Sequence, residues 1–339
     1  MGQTNFWHET GIGQIIMTGL PGPDLDSATR RLIKKFGISN FIIFSRNATA
    51  GPGRLSRLCN EIKAACRSQG LFPLIAVDQE GGPVRRLKPP LFPDMGSAAD
   101  VVCSPDPLSA MKELAERTAK ILGSVGINMN LAPVLDLCLE AEKHVLRGRC
   151  FGNMPYQVAE LGRTYIETLQ ERGLLATAKH FPGIGGVRLD PHLERPVVEA
   201  PEEDIAAGIV PFREAVEADV AAVMTSHVVF TSIDAGGPAT FSKKIATDIL
   251  RNDLGFNGLL LSDDLEMKGI TKHGKIGHAA VDAFLAGHDL LLICSKQRDV
   301  LESLEYLRRA LDTGRISGQR LQTSRERIRK AAAGMKQAD

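Results

Sequence analysis

Apolar residues in this chain gather in short continuous runs separated by longer mixed segments. Eight such runs recur, at 13–20 (GQIIMTGL), 40–45 (NFIIFS), 74–77 (LIAV), 128–135 (NMNLAPVL), 175–179 (LATAK), 221–226 (AAVMTS), 258–262 (GLLLS) and 289–294 (DLLLIC). Unbroken apolarity predicts strands buried on both faces, as in a parallel sheet, where a half-exposed strand would alternate. Between the runs lie helical periods with charged outer faces, for example at 106–122, 156–172, 204–218 and 246–254. Short connections and regular alternation predict strand–helix crossovers. The fold class expected is therefore α/β: a single (β/α)8 TIM barrel over residues 1–339, with an open doubly wound sheet as its rival. The segment 299–338 predicts two additional C-terminal helices packed on the barrel, the last one basic and solvent-facing.

Chemically able residues cluster where the predicted strands end. The second run leads into Ser45-Arg46-Asn47, the third into Asp78-Gln79-Glu80, the fifth into Lys179-His180, the sixth into Ser226-His227 and the seventh into Ser262-Asp263-Asp264. In a TIM barrel that end of the strands carries the active site. A purely structural chain has little reason to place charge at the same end of so many strands.

Composition removes several classes of function. Lys and Arg (41) nearly balance Asp and Glu (40), so no field steers the protein to nucleic acid. The six cysteines show neither CxxC pairs nor zinc-like spacing, and they read as reduced thiols. No basic n-region with an apolar follow-on opens the chain, and no apolar run reaches membrane-spanning length. The expectation is a cytoplasmic monomer with no nucleic-acid or membrane partner.

The stretch Lys179-His180-Phe181-Pro182-Gly183-Ile184-Gly185-Gly186, followed by Asp190-Pro191-His192, says most about chemistry. A buried strand delivers a cation and an imidazole, and glycines then permit turns closed to other residues. An Asp-x-His pair lets a carboxylate orient an imidazole and stabilise its protonated form, as acid/base work requires. An isolated DxH is more often just a solvated loop; the KHFPG stem upstream is what changes that reading.

KHFPG with a following Asp-x-His resembles the signature of family 3 glycoside hydrolases of the NagZ type. The similarity continues in order through VDQEGGPVRRL (77–87), NLAPVLDL (130–137), RCFG (149–152) and LLSDDLEM (260–267). The resemblance implies a retaining exo-β-N-acetylglucosaminidase (a β-N-acetylhexosaminidase) acting on terminal N-acetylglucosamine, in bacteria on peptidoglycan fragments. It implies Asp263 as nucleophile and His192 as acid/base with Asp190 as its partner. It further implies that Asp78, Arg86, Arg149, Lys179 and His180 bind the sugar, with no cofactor and no metal, and that Asp264 is structural. Arg86 and Arg149 could instead simply pair with barrel carboxylates.

Some positions depart from the family pattern. Ile184 stands where a second histidine is usual, Pro191 replaces the middle residue of the Asp-x-His, and Gly148 precedes Arg149 where an acidic residue is common. Other readings stay open. They are a β-glucosidase or broad-specificity β-glycosidase of the same family, a sugar-binding relative without turnover, and a metal-dependent barrel hydrolase using His180, His192, His227 and Asp263. The natural aglycone, and water against phosphate as acceptor, are not readable from the residues.

Overall fold

Each of the eight apolar runs gives rise to a strand, the fifth extending two residues past its run, in the computed structural model, which describes residues 3–138, 146–185, 188–190, 195–267, 270 and 274–334. In chain order the strands are β1 (Ile16–Gly19), β2 (Asn40–Ile43), β3 (Leu74–Val77), β4 (Met129–Asn130), β5 (Leu175–Phe181), β6 (Arg188–Asp190), β7 (Arg195–Val198), β8 (Ala222–Thr225), β9 (Val229–Phe230), β10 (Asp234–Pro238), β11 (Leu259–Leu261) and β12 (Leu291–Ile293). Eight of them form one parallel sheet in the order β11-β8-β5-β4-β3-β2-β1-β12. A bridge between Leu261 and Leu290 joins the two end strands and completes the ring. The barrel is the fold expected, and its rival, the open doubly wound sheet, is not what forms.

The helices form the outer ring for ordinary reasons. Pro107 opens the helix Pro107–Ser124, Asp106 caps it by accepting from Ser109 N at 3.1 Å, and its buried stripe is Met111, Leu114, Ala115, Thr118 and Leu122. The helices Pro155–Glu171 and Glu202–Glu217 follow the expected bounds within two residues, and Lys244–Asp253 is wound as a π-helix.

Two features depart from expectation. First, β6, β7, β9 and β10 make a separate four-stranded sheet, inserted after β5 and after β8. Its strands are short, and β10 (DAGGP) is largely exposed and lacks an apolar run, so periodicity carries no trace of it. Second, the last helix, Gly318–Ala333, is basic without being simply solvent-facing. It buries Leu321, Ser324, Ile328 and Ala332. Ser324 Oγ donates to Asp289 Oδ1 at 2.6 Å, and Arg327 and Arg320 approach the same oxygen at 3.2 and 3.5 Å. A charge run seen in sequence cannot reveal that its cations meet a buried carboxylate across the fold.

Candidate active site

The run that forms β3 ends at Val77, and the next residues turn sharply across the barrel mouth. Gly81 takes φ +88°, and a Cβ there would lie 2.4 Å from the Gly96 carbonyl oxygen, so only glycine fits. Buried Gln79 then organises the loop. Its Oε1 accepts from Arg86 N and Leu87 N, both at 3.0 Å, while its backbone is held by the amide of Asn130 on β4. This folds Arg86 back onto the residue where the loop began. Arg86 Nη2 donates to Asp78 Oδ2 at 3.0 Å.

Lys179, near the end of β5, meets the same carboxylate from the other side, with Nζ 3.0 Å from Asp78 Oδ1 and 2.6 Å from Glu80 Oε1. Glu80 also accepts from Arg149 Nε at 2.7 Å and Nη2 at 2.9 Å, a two-pronged pair. Two carboxylates and three cations thus form one network. Burial pushes the Asp78 carboxyl up, but Lys179 and Arg86 outweigh it and hold it below the usual range. Glu80 is likewise held low against burial by Lys179 and Arg149. Burial opposes the charge on Lys179, yet Glu80 and Asp78 keep its ammonium more basic than usual. The opposite charges favour the ionised forms of Asp78, Glu80 and Lys179, and the ion pairs fix the orientation of the Arg86 and Arg149 guanidinium groups.

His180 follows Lys179 through a cis peptide bond. Its Nδ1 lies 2.7 Å from Asp136 Oδ2, and Asp136 is fully buried. Asp136 Oδ1 also accepts from Ile184 N at 2.8 Å. Where the family pattern has a histidine, this contact needs only a main-chain N–H, which isoleucine supplies equally well.

At the end of β11, Asp263 is partly exposed and its Oδ1 accepts from Asp264 N at 2.7 Å. Asp264 Oδ1 accepts from Glu266 N and Cys294 N at 3.1 and 3.4 Å. Burial raises its carboxyl to about 6. Asp78 and Asp263 both act electrostatically on Cys294, whose thiol burial pushes well above its ordinary range. Asp263 and His180 both act on His227. The barrel therefore brings Asp78, Arg86, Lys179, His180 and Asp263 to one mouth, with Arg149 joined through Glu80.

His227 is buried and has both ring nitrogens engaged, Nδ1 with Thr240 Oγ1 at 2.7 Å and Nε2 with the Asp264 carbonyl at 2.9 Å. Burial pushes its imidazole below the ordinary histidine range, against the charge of Asp263. Asp190 ends β6, opposite Arg195 of β7. His192 and Pro191 lie outside the described residues. No group of three or more His, Cys, Asp and Glu with metal-holding geometry occurs among the described residues.

The sequence places Gln79 and Glu80 in the strand-end cluster with Asp78 but gives them no role of their own, and it gives none to Asp136, which sits unmarked inside NLAPVLDL.

The model of the glycosyl hydrolase family 3 N-terminal domain matches residues 8–331. The chain belongs to glycosyl hydrolase family 3. Membership makes it a glycoside hydrolase. A β-hexosaminidase of Nitrosomonas eutropha is 35% identical over 313 residues, covering 90% of this chain and 88% of that protein. One from Thiobacillus denitrificans is 38% identical over 287 residues, covering 83% and 78%. Among solved structures, a family 3 β-N-acetylglucosaminidase from Paenibacillus sp. superposes with a TM-score of 0.89 at 33% identity. That match covers 96% of this chain but only 62% of the larger Paenibacillus protein. NagZ from Neisseria gonorrhoeae, solved with N-trifluoroacetyl-D-glucosamine, superposes with a TM-score of 0.76 at 27% identity, covering 94% and 97%.

Proposed function

We propose that this glycoside hydrolase is a retaining exo-β-N-acetylglucosaminidase, with Asp263 as nucleophile and the Asp190–His192 pair as acid/base. The observation that carries the reading is the convergence of a partly exposed Asp263 with the Asp78–Lys179–Arg86 network at one barrel mouth. The β-hexosaminidase relatives supply the sugar.

In this reading Asp78, Arg86, Lys179, Arg149 and His180 hold the hydroxyls of a terminal N-acetylglucosamine through charge-assisted hydrogen bonds. An Asp263 oxygen attacks the anomeric carbon as the bond to the leaving oxygen breaks, and His192 donates the proton that oxygen needs. A covalent glycosyl-Asp263 ester forms. Water then attacks the anomeric carbon, His192 takes its proton, and the Asp263 carboxylate is released with the β configuration restored. The biological substrate proposed is a cell-wall fragment bearing terminal N-acetylglucosamine, handled in the cytoplasm by a monomer. Among the described residues no helix is long and apolar enough to cross a membrane.

Release of para-nitrophenol from its β-N-acetylglucosaminide and its β-glucoside tests the reading, with chelator as a control. Turnover of the N-acetyl substrate, insensitive to chelator and preferred over the glucoside, is expected. A folded protein that turns over neither, or favours the glucoside, would overturn the assignment.

A further inference from the structure

We infer that Asp136 is a positioning residue that couples the sugar grip of His180 to the loop leading to Asp190 and His192; this rests on the glycosidase reading above. Asp136 stands six residues beyond β4, with its side chain shut off from solvent. Asp136 acts electrostatically on Arg149, whose guanidinium pairs with Glu80, while Lys179 pairs with Asp78 and Glu80. The hydrogen bonds to Asp136 come from N–H groups. Its oxygens accept from His180 N at 3.2 and 3.3 Å, from His180 Nδ1 at 2.7 Å and from Ile184 N at 2.8 Å.

These bonds grip both ends of one turn. His180 begins it, Ile184 ends it, and Gly183 N closes it onto the His180 carbonyl at 2.9 Å. The next residue, Gly185, lies so close to the strand-4 segment that a Cβ would sit 2.0 Å from the Leu137 carbonyl oxygen. The root of the loop is thereby fixed on the element that carries Asp136, five residues before Asp190.

The same carboxylate sets the tautomer of His180. With Nδ1–H donated to Asp136, Nε2 keeps its lone pair and can accept a hydrogen bond from a sugar hydroxyl. His180 and Asp263 both act electrostatically on His227, so the imidazole and the proposed nucleophile lie about the same residue. A carboxylate behind a histidine is a recurrent way to fix ring orientation. Here it fixes a loop as well.

Asp136→Asn tests both halves. The amide can donate to Nδ1 and so drive the proton to Nε2, reversing the polarity offered to the sugar, and it accepts fewer backbone N–H bonds. KM for the para-nitrophenyl substrate should rise, and kcat/KM should fall about ten- to a hundredfold. On N,N′-diacetylchitobiose, whose leaving group needs its proton, kcat should fall further than on the aryl substrate. His180→Asn keeps a side-chain N–H for Asp136 but loses Nε2, and should raise KM without that leaving-group dependence. An unchanged KM in Asp136→Asn, or equal kcat losses on the two substrates, overturns the coupling. Should Asp136→Asn fail to fold, an unchanged KM in His180→Asn overturns it. Wild-type turnover measured alongside reports on the glycosidase reading separately, because the coupling is judged only by ratios of variant to wild type.

Discussion

Lys179 Nζ lies 2.6 Å from Glu80 Oε1, and each of these side chains is only 3% exposed. Removing Glu80 leaves Asp78 as the remaining carboxylate against buried Lys179 and takes the two-pronged partner from Arg149. Glu80→Ala should therefore cost about 3–5 kcal/mol of stability. It also frees Arg149 from its two-pronged contact, so activity should fall in whatever fraction stays folded. The exposed pair Arg85–Asp94 serves as control, and Asp94→Ala should cost no more than about 1 kcal/mol. Urea titration of both variants checks the contrast; equal costs would show that burial of the network adds nothing.

Asp289 should behave as the lock of the C-terminal helix. It is fully buried, pairs with Arg251, and receives Ser324 and Arg327 from Gly318–Ala333. Asp289→Asn should destabilise the protein by about 3 kcal/mol or more. It should also raise amide hydrogen exchange in 318–333 ahead of the barrel strands. Exchange that rises uniformly would argue against a local lock.

Gly185→Ala should damage activity more than global stability. The added methyl meets the Leu137 carbonyl, which is backbone and cannot step aside cheaply, so the loop must shift. A kcat within about twofold of wild type would contradict the placement of this loop.

The buried histidine His288 gives a pH prediction. Burial lowers it from 6.5 to about 4, against opposing hydrogen bonding to Ala283 and the charge of Asp289. The unfolded chain binds a proton below about 6.5, whereas the folded one resists until about 4, so this stability contribution is lost as pH falls through that window. The stability difference between wild type and His288→Gln should grow by about 3 kcal/mol from pH 4 to pH 7 and level off above. Asp264, raised by burial to about 6, has the opposite sign: its contribution is lost as pH rises from about 4 to 6. Only paired differences between wild type and each variant separate the two. A flat difference for His288→Gln would remove the effect.

The barrel was legible because strands buried on both faces leave unbroken apolar runs, and 74–77 even gave its strand bounds without error. Asp78, Lys179 and Asp263 stood out because they lie at strand ends, where a barrel does chemistry, whereas Arg86 entered only through the family resemblance. Asp136 was not, since its role depends on meeting His180 and Ile184 more than forty residues away. The sheet of β6, β7, β9 and β10 escaped because its strands, two to five residues long, are too short to carry a period. The pairing of Arg86 and Arg149 with carboxylates came as one of two stated alternatives, and the structure places both in ion pairs that leave them at the mouth.

The central claim is that Asp263 becomes covalently glycosylated. Intact-protein mass spectrometry, followed by peptide mapping, after incubation with a 5-fluoro-N-acetylglucosaminyl fluoride reads this directly, because the fluorine slows release of the intermediate more than the activated leaving group slows its formation. One added N-acetylfluoroglucosaminyl mass, mapped to the peptide containing Asp263 and absent in Asp263→Asn, is the predicted result. An adduct on another carboxylate, or unchanged wild-type turnover in Asp263→Asn, would contradict the account.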